Sequence, residues 1–164
     1  MRKYTFLDEL NSLCNNLLQK KNRLLICITG KSGVGKSTLG KYIRKNGFGN
    51  FSKYTISVID DGVMSMDLCY VFNKRVKIKT SQEEELLPFI ELLPKRKKLI
   101  FCISTIPTEI ISSADIVLHV QFKDEEERLN RLLLRDKKIK VNHLTDSSPY
   151  IKNLDYKYLI NIQL

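Results

Sequence analysis

Histidine is scarce and cysteine is unclustered in this 164-residue chain, and both facts limit its chemistry. The two histidines, His119 and His143, form no metal-ligand set and no catalytic triad with other residues. None of the four cysteines belongs to a C-x-x-C pair, and Cys27 and Cys102 lie inside apolar, strand-like runs. We therefore expect buried free thiols rather than disulfides or a zinc site, which suits a reducing cytoplasmic interior.

Long apolar runs are also missing, and none approaches the roughly 20 residues of a membrane span. The first residues, MRKYTFLDELNS, contain no apolar core and no small-residue cleavage site, so we do not expect a secretory signal. There is no internal repeat and no low-complexity segment. A hydrophobic content of 43% over 164 residues predicts a single domain, 1–164, with a core of its own and no membrane partner.

Positive charge is in excess, and its distribution is uneven. The formal net charge is +10, and residues 1–50 carry ten Lys or Arg against two acids. Such an excess favours anionic ligands, although a solvated basic surface is the simpler alternative. Because no basic strip is interleaved with aromatic residues, nucleic acid is an unlikely partner.

The most specific pattern is ICITGKSGVGKSTLGKYI, residues 26–43. Gly30, Gly35, Lys36 and Ser37 match G-x-x-x-x-G-K-[ST], the Walker A pattern or P-loop. An apolar strand-like run precedes it and a helical pattern follows, as this motif requires. The residues expected to bind the nucleotide phosphates are Gly30, Lys31, Ser32, Gly33, Val34, Gly35, Lys36, Ser37 and Thr38.

Each residue type in this pattern has a physical role. Glycines let the backbone curl around an anion with several N–H groups directed inward, and the positive end of the following helix adds to this field. Lys36 can reach the β- and γ-phosphates, and the Ser37 hydroxyl can bind Mg²⁺. We therefore expect ATP and Mg²⁺ as cofactors.

Apolar strand patterns alternate with helical patterns along the rest of the chain. This alternation predicts an α/β fold whose parallel sheet is covered on both faces, with ligands at the carboxyl ends of the strands. Residues 63–80 are ambiguous between a short hairpin and an extended excursion. Strands are predicted at 24–29, 54–59, 99–104, 115–122 and 155–163, and helices at 5–20, after the P-loop to about 46, at 81–93 and at 124–138.

The chain resembles the small P-loop kinases, the group that includes uridine, pantothenate, dephospho-CoA and adenylate kinases. The resemblance rests on LLICITGKSGVGKSTLGKYI, SVIDDGVM, ADIVLHVQFKDEEERLNRLLLRD and LDYKYLINIQ in that order, of which only the first is specific alone. It implies a three-layer P-loop NTPase fold with a five-stranded parallel sheet and a lid helix within 124–138. It also implies an ATP-dependent phosphotransferase.

Two further groups of site residues follow from the resemblance. One acid after the second strand would orient the acceptor hydroxyl: D-x-Φ-Φ favours Asp60 and D-G favours Asp61, and we prefer Asp61 because Gly62 follows it. Asp60 would then also be available to the metal. On the lid helix, Arg131 would cover the adenine and Arg135 would neutralise the transferring phosphoryl group. An ordinary exposed helix with paired charges is the alternative.

One departure from the family pattern affects the functional prediction. LIFCIST carries no acid where many P-loop proteins place a magnesium-binding carboxylate, so Ser104, Thr105 or the Asp60–Asp61 pair would have to compensate. We predict a kinase acting on a nucleoside, a nucleotide or a related metabolite. The basic cluster within 74–79 favours an anionic acceptor. A nucleotide-binding regulatory module without turnover is the second hypothesis, and an enzyme of nucleic-acid ends ranks last.

Overall fold

The computed structural model describes residues 5–60, 63–68, 72–77, 90–135, 151 and 153–163. Within these residues lie three helices and seven strands that are described in full, with two short 3₁₀ turns at Lys53–Thr55 and Pro107–Glu109. The helices are α1 (Phe6–Leu18), α2 (Lys36–Asn46) and α3 (Glu125–Arg135). The strands are β1 (Leu24–Thr29), β2 (Ile56–Asp60), β3 (Val63–Leu68), β4 (Phe72–Lys77), β5 (Leu99–Ile103), β6 (Ser113–Gln121) and β7 (Asp155–Gln163).

All strands belong to one sheet with the order β4-β3-β2-β5-β1-β6-β7. The five strands β2, β5, β1, β6 and β7 pair in parallel, which confirms the predicted α/β class and its five parallel strands. The sheet nevertheless has seven strands, because β3 and β4 add an antiparallel pair beside β2. Of the two structures considered for residues 63–80, the hairpin is therefore the correct one.

The predicted helices agree with the observed ones within a few residues. The helix predicted at 5–20 is Phe6–Leu18, and the helix predicted at 124–138 is Glu125–Arg135, with 136–138 outside the described residues. Of the helix predicted at 81–93, residues 81–89 also lie outside them, while Ile90 and Glu91 are helical. Across the part of the chain that the structure describes, no helix is both long enough and apolar enough to cross a membrane.

Apolar side chains cover both faces of the parallel strands, since alternate strand residues point to opposite faces. On one face, Ile26, Ile28 and Phe101 pack with α1 and α2 through residues such as Leu10 and Leu39. The opposite face buries a second cluster, which contains Cys27, Ile59, Ile90, Leu93, Ile100, Cys102, Ile111, Ala114, Val117 and Leu154. Runs such as LIFCI are apolar throughout because both faces of their strand are buried.

The cysteines in the described residues are free and buried, as predicted: Cys14, Cys27 and Cys102. Burial raises the pKa of the Cys102 thiol to about 12, and it raises that of Cys27 well above its ordinary value. These thiols are therefore protonated and unreactive at neutral pH. Cys69 lies outside the described residues.

The amino ends of the central strands are held by ionic side chains. Asp115, which is buried, accepts hydrogen bonds from the Leu25 amide at 3.0 Å and from Lys21 Nζ at 2.5 Å. Arg23 donates to four carbonyl oxygens of one segment, those of Ile90, Leu93, Pro94 and Lys97, at 2.6 to 3.1 Å. One guanidinium thus fastens residues 90–97 beneath β1, at the end of the sheet opposite the glycine-rich turn.

The connections that follow β1 and β6 lead toward opposite edges of the sheet. The chain leaves β1 through α2 toward β2 on one side, whereas it leaves β6 through α3 toward β7 on the other. Adjacent parallel strands whose connections leave in opposite directions form a crevice at their carboxyl ends, where ligands of open α/β sheets bind. The glycine-rich turn after β1 lies at this crevice.

We predict that Arg23→Met destabilises the fold because several carbonyl oxygens lose a charged donor together. The free energy of unfolding should fall by about 2–4 kcal/mol. Urea denaturation followed by circular dichroism measures it. Lys20→Met, a change at an exposed basic residue of the same turn, is the control and should cost less than about 0.5 kcal/mol. Equal stability of the two variants would mean that Arg23 does not fasten residues 90–97.

Candidate functional site

Residues 30–35, here called the glycine loop, connect β1 to α2, and the three glycines of the loop have positive φ angles. Gly30, Gly33 and Gly35 have φ angles of 143°, 85° and 98°, values that other residues rarely adopt. Space is limiting as well: a Cβ on Gly30 would collide with the Val120 carbonyl oxygen, and one on Gly33 would lie 2.8 Å from Leu132 Cγ. Gly30 and Gly33 are therefore required by both conformation and packing, and Gly35 is required by its conformation.

The side chain of Lys36 folds back beneath the glycine loop. Its Nζ donates to the carbonyl oxygens of Gly30 at 2.6 Å and Lys31 at 2.8 Å, and the residue is only 9% exposed. Lys36 is also the first residue of α2, whose amino end carries the positive pole of the helix. The loop therefore encloses one fixed cation and lies against a second source of positive potential.

Ser37 and Asp60 meet across the end of the sheet. Ser37 Oγ lies on the first turn of α2 and donates to Asp60 Oδ1 at 3.3 Å. Asp60 is the last residue of β2, two strands away from β1 in the sheet. A hydroxyl and a carboxylate from distant parts of the sequence thus form one oxygen-rich pair. Asp61 lies outside the described residues.

A cavity of about 300 Å³ lies above this pair. Most of the predicted site residues that the structure describes line it, Arg131 of α3 among them, and Leu132 of α3 also contributes. Its walls are Ser32, Gly33, Gly35, Lys36, Ser37, Thr38, Asp60, Ile103, Thr105, Arg131 and Leu132. Val34 is buried beside the cavity rather than in its wall, because its side chain belongs to the core next to α1 and α2.

The two hydroxyl residues that follow β5, Ser104 and Thr105, make different contacts. Ser104 Oγ accepts the Ile106 amide at 3.1 Å, so this hydroxyl stabilises the turn after the strand. Thr105 lines the cavity, and its carbonyl oxygen accepts Thr29 Oγ1 at 3.5 Å. Of these two residues, Thr105 is therefore the one that a ligand in the cavity can reach.

Helix α3 lies along the opposite wall of the crevice. Asp124 Oδ1 accepts the amides of Glu126 at 2.9 Å and Glu127 at 3.2 Å, which caps the helix. The guanidinium of Arg131 lies 4.5 Å from the centre of the Phe122 ring and donates to Glu127 at 2.6 Å. Arg131 therefore presents a flat, half-exposed cation to the cavity. Arg135 ends α3, and the position of its side chain is not described.

The structure adds a site residue that was absent from the sequence-based set. Arg128 is 1% exposed, and it donates to Glu125 through Nε at 2.8 Å and Nη2 at 2.6 Å. Its Nη1 donates to the Ser32 carbonyl oxygen of the glycine loop at 2.6 Å. The signal was present in the helical period, since Arg128 and Leu132 are four residues apart and share the buried face.

Charge around this contact lowers the pKa of Glu125 to about 2, mainly through its hydrogen bonds from Arg128, with a further one from Lys31. Lys31 Nζ lies 3.2 Å from the same carboxylate. The Glu125 carboxylate is therefore ionised throughout the physiological range. Together, Lys31, Ser32, Glu125 and Arg128 join the glycine loop to the first turn of α3.

A metal ion at this site would need ligands beyond the protein. Among the described residues there is no group of three or more His, Cys, Asp or Glu side chains suited to a metal. The Ser37–Asp60 pair offers a hydroxyl and a carboxylate only. That set fits Mg²⁺, which keeps several waters and is usually held by one or two carboxylates plus substrate phosphates.

Comparison with known proteins leaves the functional inference to this geometry. No family model matches the chain, and a search of curated proteins finds no match. The structure brings together the glycine loop, Lys36, Ser37, Thr38, Asp60 and Arg131 around one cavity. These residues can bind a phosphate-bearing anion and a hard cation side by side.

We predict that Glu125→Gln lowers stability in a pH-dependent way. The folded pKa of Glu125 is about 2, below its unfolded value, so its stabilisation is fully present above about pH 4.5. It is lost as the pH falls toward 2. The difference in free energy of unfolding between the wild type and Glu125→Gln should therefore shrink over this range, as urea denaturation at each pH would show.

Salt and a neighbouring variant provide the controls for this prediction. Because the Glu125 side chain is 51% exposed, the difference should be modest and should weaken at high ionic strength. Glu126→Gln removes an exposed carboxylate one residue away and is the matched control for the change in charge. If the free energy of unfolding of the wild type exceeded that of Glu125→Gln by the same amount at pH 6 and at pH 2, the low pKa assigned to Glu125 would be wrong.

Proposed function

We propose that this protein is a P-loop phosphotransferase, which transfers the γ-phosphoryl group of Mg·ATP to a small-molecule acceptor. The observation that carries the proposal is the glycine loop, closed around the Lys36 ammonium and continuing directly into α2.

We assign the nucleotide phosphates to the amides of the glycine loop, because the carbonyl oxygens of Gly30 and Lys31 already accept hydrogen bonds from Lys36. In a trans peptide the C=O and N–H point in opposite directions, so carbonyls bound to Lys36 leave the amides of the same peptide units directed away from it. Amides arranged in this way form an anion-binding concavity, and the amino end of α2 adds to the same field. Thr38 and Ser32 border the same cavity.

Mg²⁺ is assigned to Ser37 and Asp60. Their oxygens lie 3.3 Å apart, close to the roughly 3 Å expected between neighbouring ligands of an octahedral ion with bonds of about 2.0–2.1 Å. When bound there, the ion would neutralise charge on the phosphate oxygens. Asp60 is therefore proposed as a metal ligand, which leaves the role at the acceptor to Asp61.

The base of the nucleotide is assigned to Arg131. Its guanidinium already stacks on Phe122, at the junction of the 300 Å³ cavity and a more open cleft of about 890 Å³. A planar cation can cover an aromatic base with its second face. Arg135 remains the proposed partner of the transferring phosphoryl group.

The acceptor is assigned to the β3–β4 side of the sheet. Asp60 pairs with Val63, and Val63 pairs with Lys77, so the three residues lie in one row on one face. Arg75, two residues from Lys77, shares that face, whereas Lys74 takes a register position on the other. Two basic positions on the face of Asp60 support an acceptor that is itself anionic.

A nucleotide-binding module without turnover is the second candidate. β5 lies between β1 and β2, and Ser104 instead of an acid follows its last residue, Ile103, so the strand next to the glycine loop supplies no carboxylate there. A site with a single metal-binding carboxylate can bind Mg·ATP without completing transfer. Free buried thiols at Cys14, Cys27 and Cys102 support a cytoplasmic setting for either candidate.

Lys36→Ala should weaken ATP binding because it removes the buried cation that holds the Gly30 and Lys31 carbonyl oxygens and thereby orients the loop amides toward the phosphates. We expect a loss of roughly 1.5–3 kcal/mol, which corresponds to an affinity about 10- to 100-fold lower. Isothermal titration calorimetry measures it, with Lys41→Ala, an exposed lysine of the same helix, as the matched control. If Lys36→Ala bound ATP as tightly as the wild type, the glycine loop would not be the phosphate site.

Asp60→Asn and Asp61→Asn should have different consequences. Asp60→Asn should abolish the strengthening of ATP binding by Mg²⁺, with affinity in EDTA unchanged, because a metal ligand is lost. Asp61→Asn should leave Mg·ATP affinity nearly intact but lower kcat by roughly 10²–10⁴-fold, the range for a positioned acid–base group. Titration with and without Mg²⁺, and transfer assays with the accepted substrate, measure the two effects.

The wild type must first be screened for ATP consumption with nucleosides, nucleotides, vitamins and sugars. Transfer to one of them supports the enzyme. Binding of Mg·ATP without transfer to any of them would favour the module without turnover. If transfer occurs and neither Asn variant slows it, the acids after β2 have a structural role only.

A further inference from the structure

Three successive carbonyl oxygens of the glycine loop are bound by cations from two elements. Lys36 Nζ donates to the carbonyl oxygens of Gly30 and Lys31, and Arg128 Nη1 donates to that of Ser32 at 2.6 Å. The orientation of a peptide's amide is fixed once its carbonyl is fixed. The amides of Lys31, Ser32 and Gly33 are therefore oriented by Lys36 and Arg128 together.

Arg128 is itself held in place, so it can serve as a fixed point. Two of its nitrogens form a fork on the Glu125 carboxylate, a third holds Ser32, and the side chain is 1% exposed. Glu125 also accepts Lys31 from the loop at 3.2 Å. The planar guanidinium is suited to this geometry, since its donors diverge at fixed angles.

We propose that Arg128 is a positioning residue of the phosphate site, which acts through the Ser32 carbonyl oxygen and is oriented by Glu125. The inference rests on the proposed nucleotide site. In this role Arg128 does not touch the nucleotide, unlike Arg131 and Arg135. It sets the direction of loop amides that every phosphate-bearing ligand of the site would use.

A direct contact between Arg128 and the γ-phosphate is the competing role. It would require the buried guanidinium to leave both the Ser32 carbonyl oxygen and the Glu125 carboxylate. The two roles have different consequences for ligands. Loss of loop positioning weakens ADP and ATP by the same factor, whereas loss of a γ-phosphate contact weakens ATP and spares ADP.

The test compares the affinities for Mg·ADP, Mg·ATP and inorganic tripolyphosphate by titration calorimetry. Arg128→Met should raise Kd about 10-fold for all three ligands, the size expected when one charge-assisted hydrogen bond is lost. Arg128→Lys keeps the charge without the fork and should recover only part of the affinity. Glu125→Gln should weaken all three ligands in the same direction by a smaller factor. Glu126→Gln, on the same helical turn, should bind as the wild type does.

A second measurement does not depend on any ligand. ¹⁵N relaxation of the nucleotide-free protein should show lower order parameters for the amides of Lys31, Ser32 and Gly33 in Arg128→Met, while those of β1 stay unchanged. Should Arg128→Met fail to fold, Glu125→Gln carries both measurements. Order parameters equal to those of the wild type would overturn the proposal.

The remaining outcomes separate this proposal from the proposed function. Weakened ATP with unchanged ADP would overturn positioning and establish the direct contact. Unchanged Kd values in Arg128→Met, when Lys36→Ala does lose ATP, would overturn the role of Arg128 alone. A wild type that binds none of the three ligands would overturn the proposed function, and the order parameters would then decide whether Arg128 positions the loop.

Discussion

The bond between the Lys36 ammonium and the carbonyl oxygens of the glycine loop is the interaction on which the site depends. Carbonyl oxygens carry negative potential, so a loop that bound an anion with these groups facing it would repel its ligand. Lys36 removes two of them from the cavity, and the left-handed glycines allow the backbone turn that this requires. The same residue begins α2, so the loop's closure and the helix's position are coupled.

The packing of α3 constrains how a lid could work here. Its first turns are fastened to the glycine loop by Arg128 and by Leu132, which lies against Gly33. A rigid swing of the whole helix would break a buried guanidinium contact, which costs several kcal/mol where no partner replaces it. The half-exposed Arg131 on the other face of the helix can rearrange without that cost. Any closure around the proposed nucleotide is therefore expected to involve the Arg131 side chain rather than a rigid movement of α3.

Much of the fold could be predicted because its signals are local. Apolar runs bounded by Gly, Asp or basic residues marked all five parallel strands within two residues of their observed ends, and helical periods marked the three helices. For residues 63–80 the sequence is compatible both with a short hairpin and with an extended excursion, because the alternation in LCYVFNKRVKIK suits either. The antiparallel pairing of β3 with β2 makes this segment a hairpin. Pairing between strands depends on residues outside the segment, so the local sequence does not reveal it.

The amino-acid sequence by itself determined the glycine loop, since the allowed backbone angles of glycine and the spacing to Lys36 and Ser37 are covalent facts of the chain. Only the tertiary structure decided which distant groups meet that loop. Asp60 reaches Ser37 because β5 inserts between β1 and β2 and brings the carboxyl end of β2 to the same edge. Arg128 reaches Ser32 because β6 lies beside β1 and starts α3 at the crevice. Strand order arises from burial of both sheet faces, a property of the whole chain that no local pattern encodes.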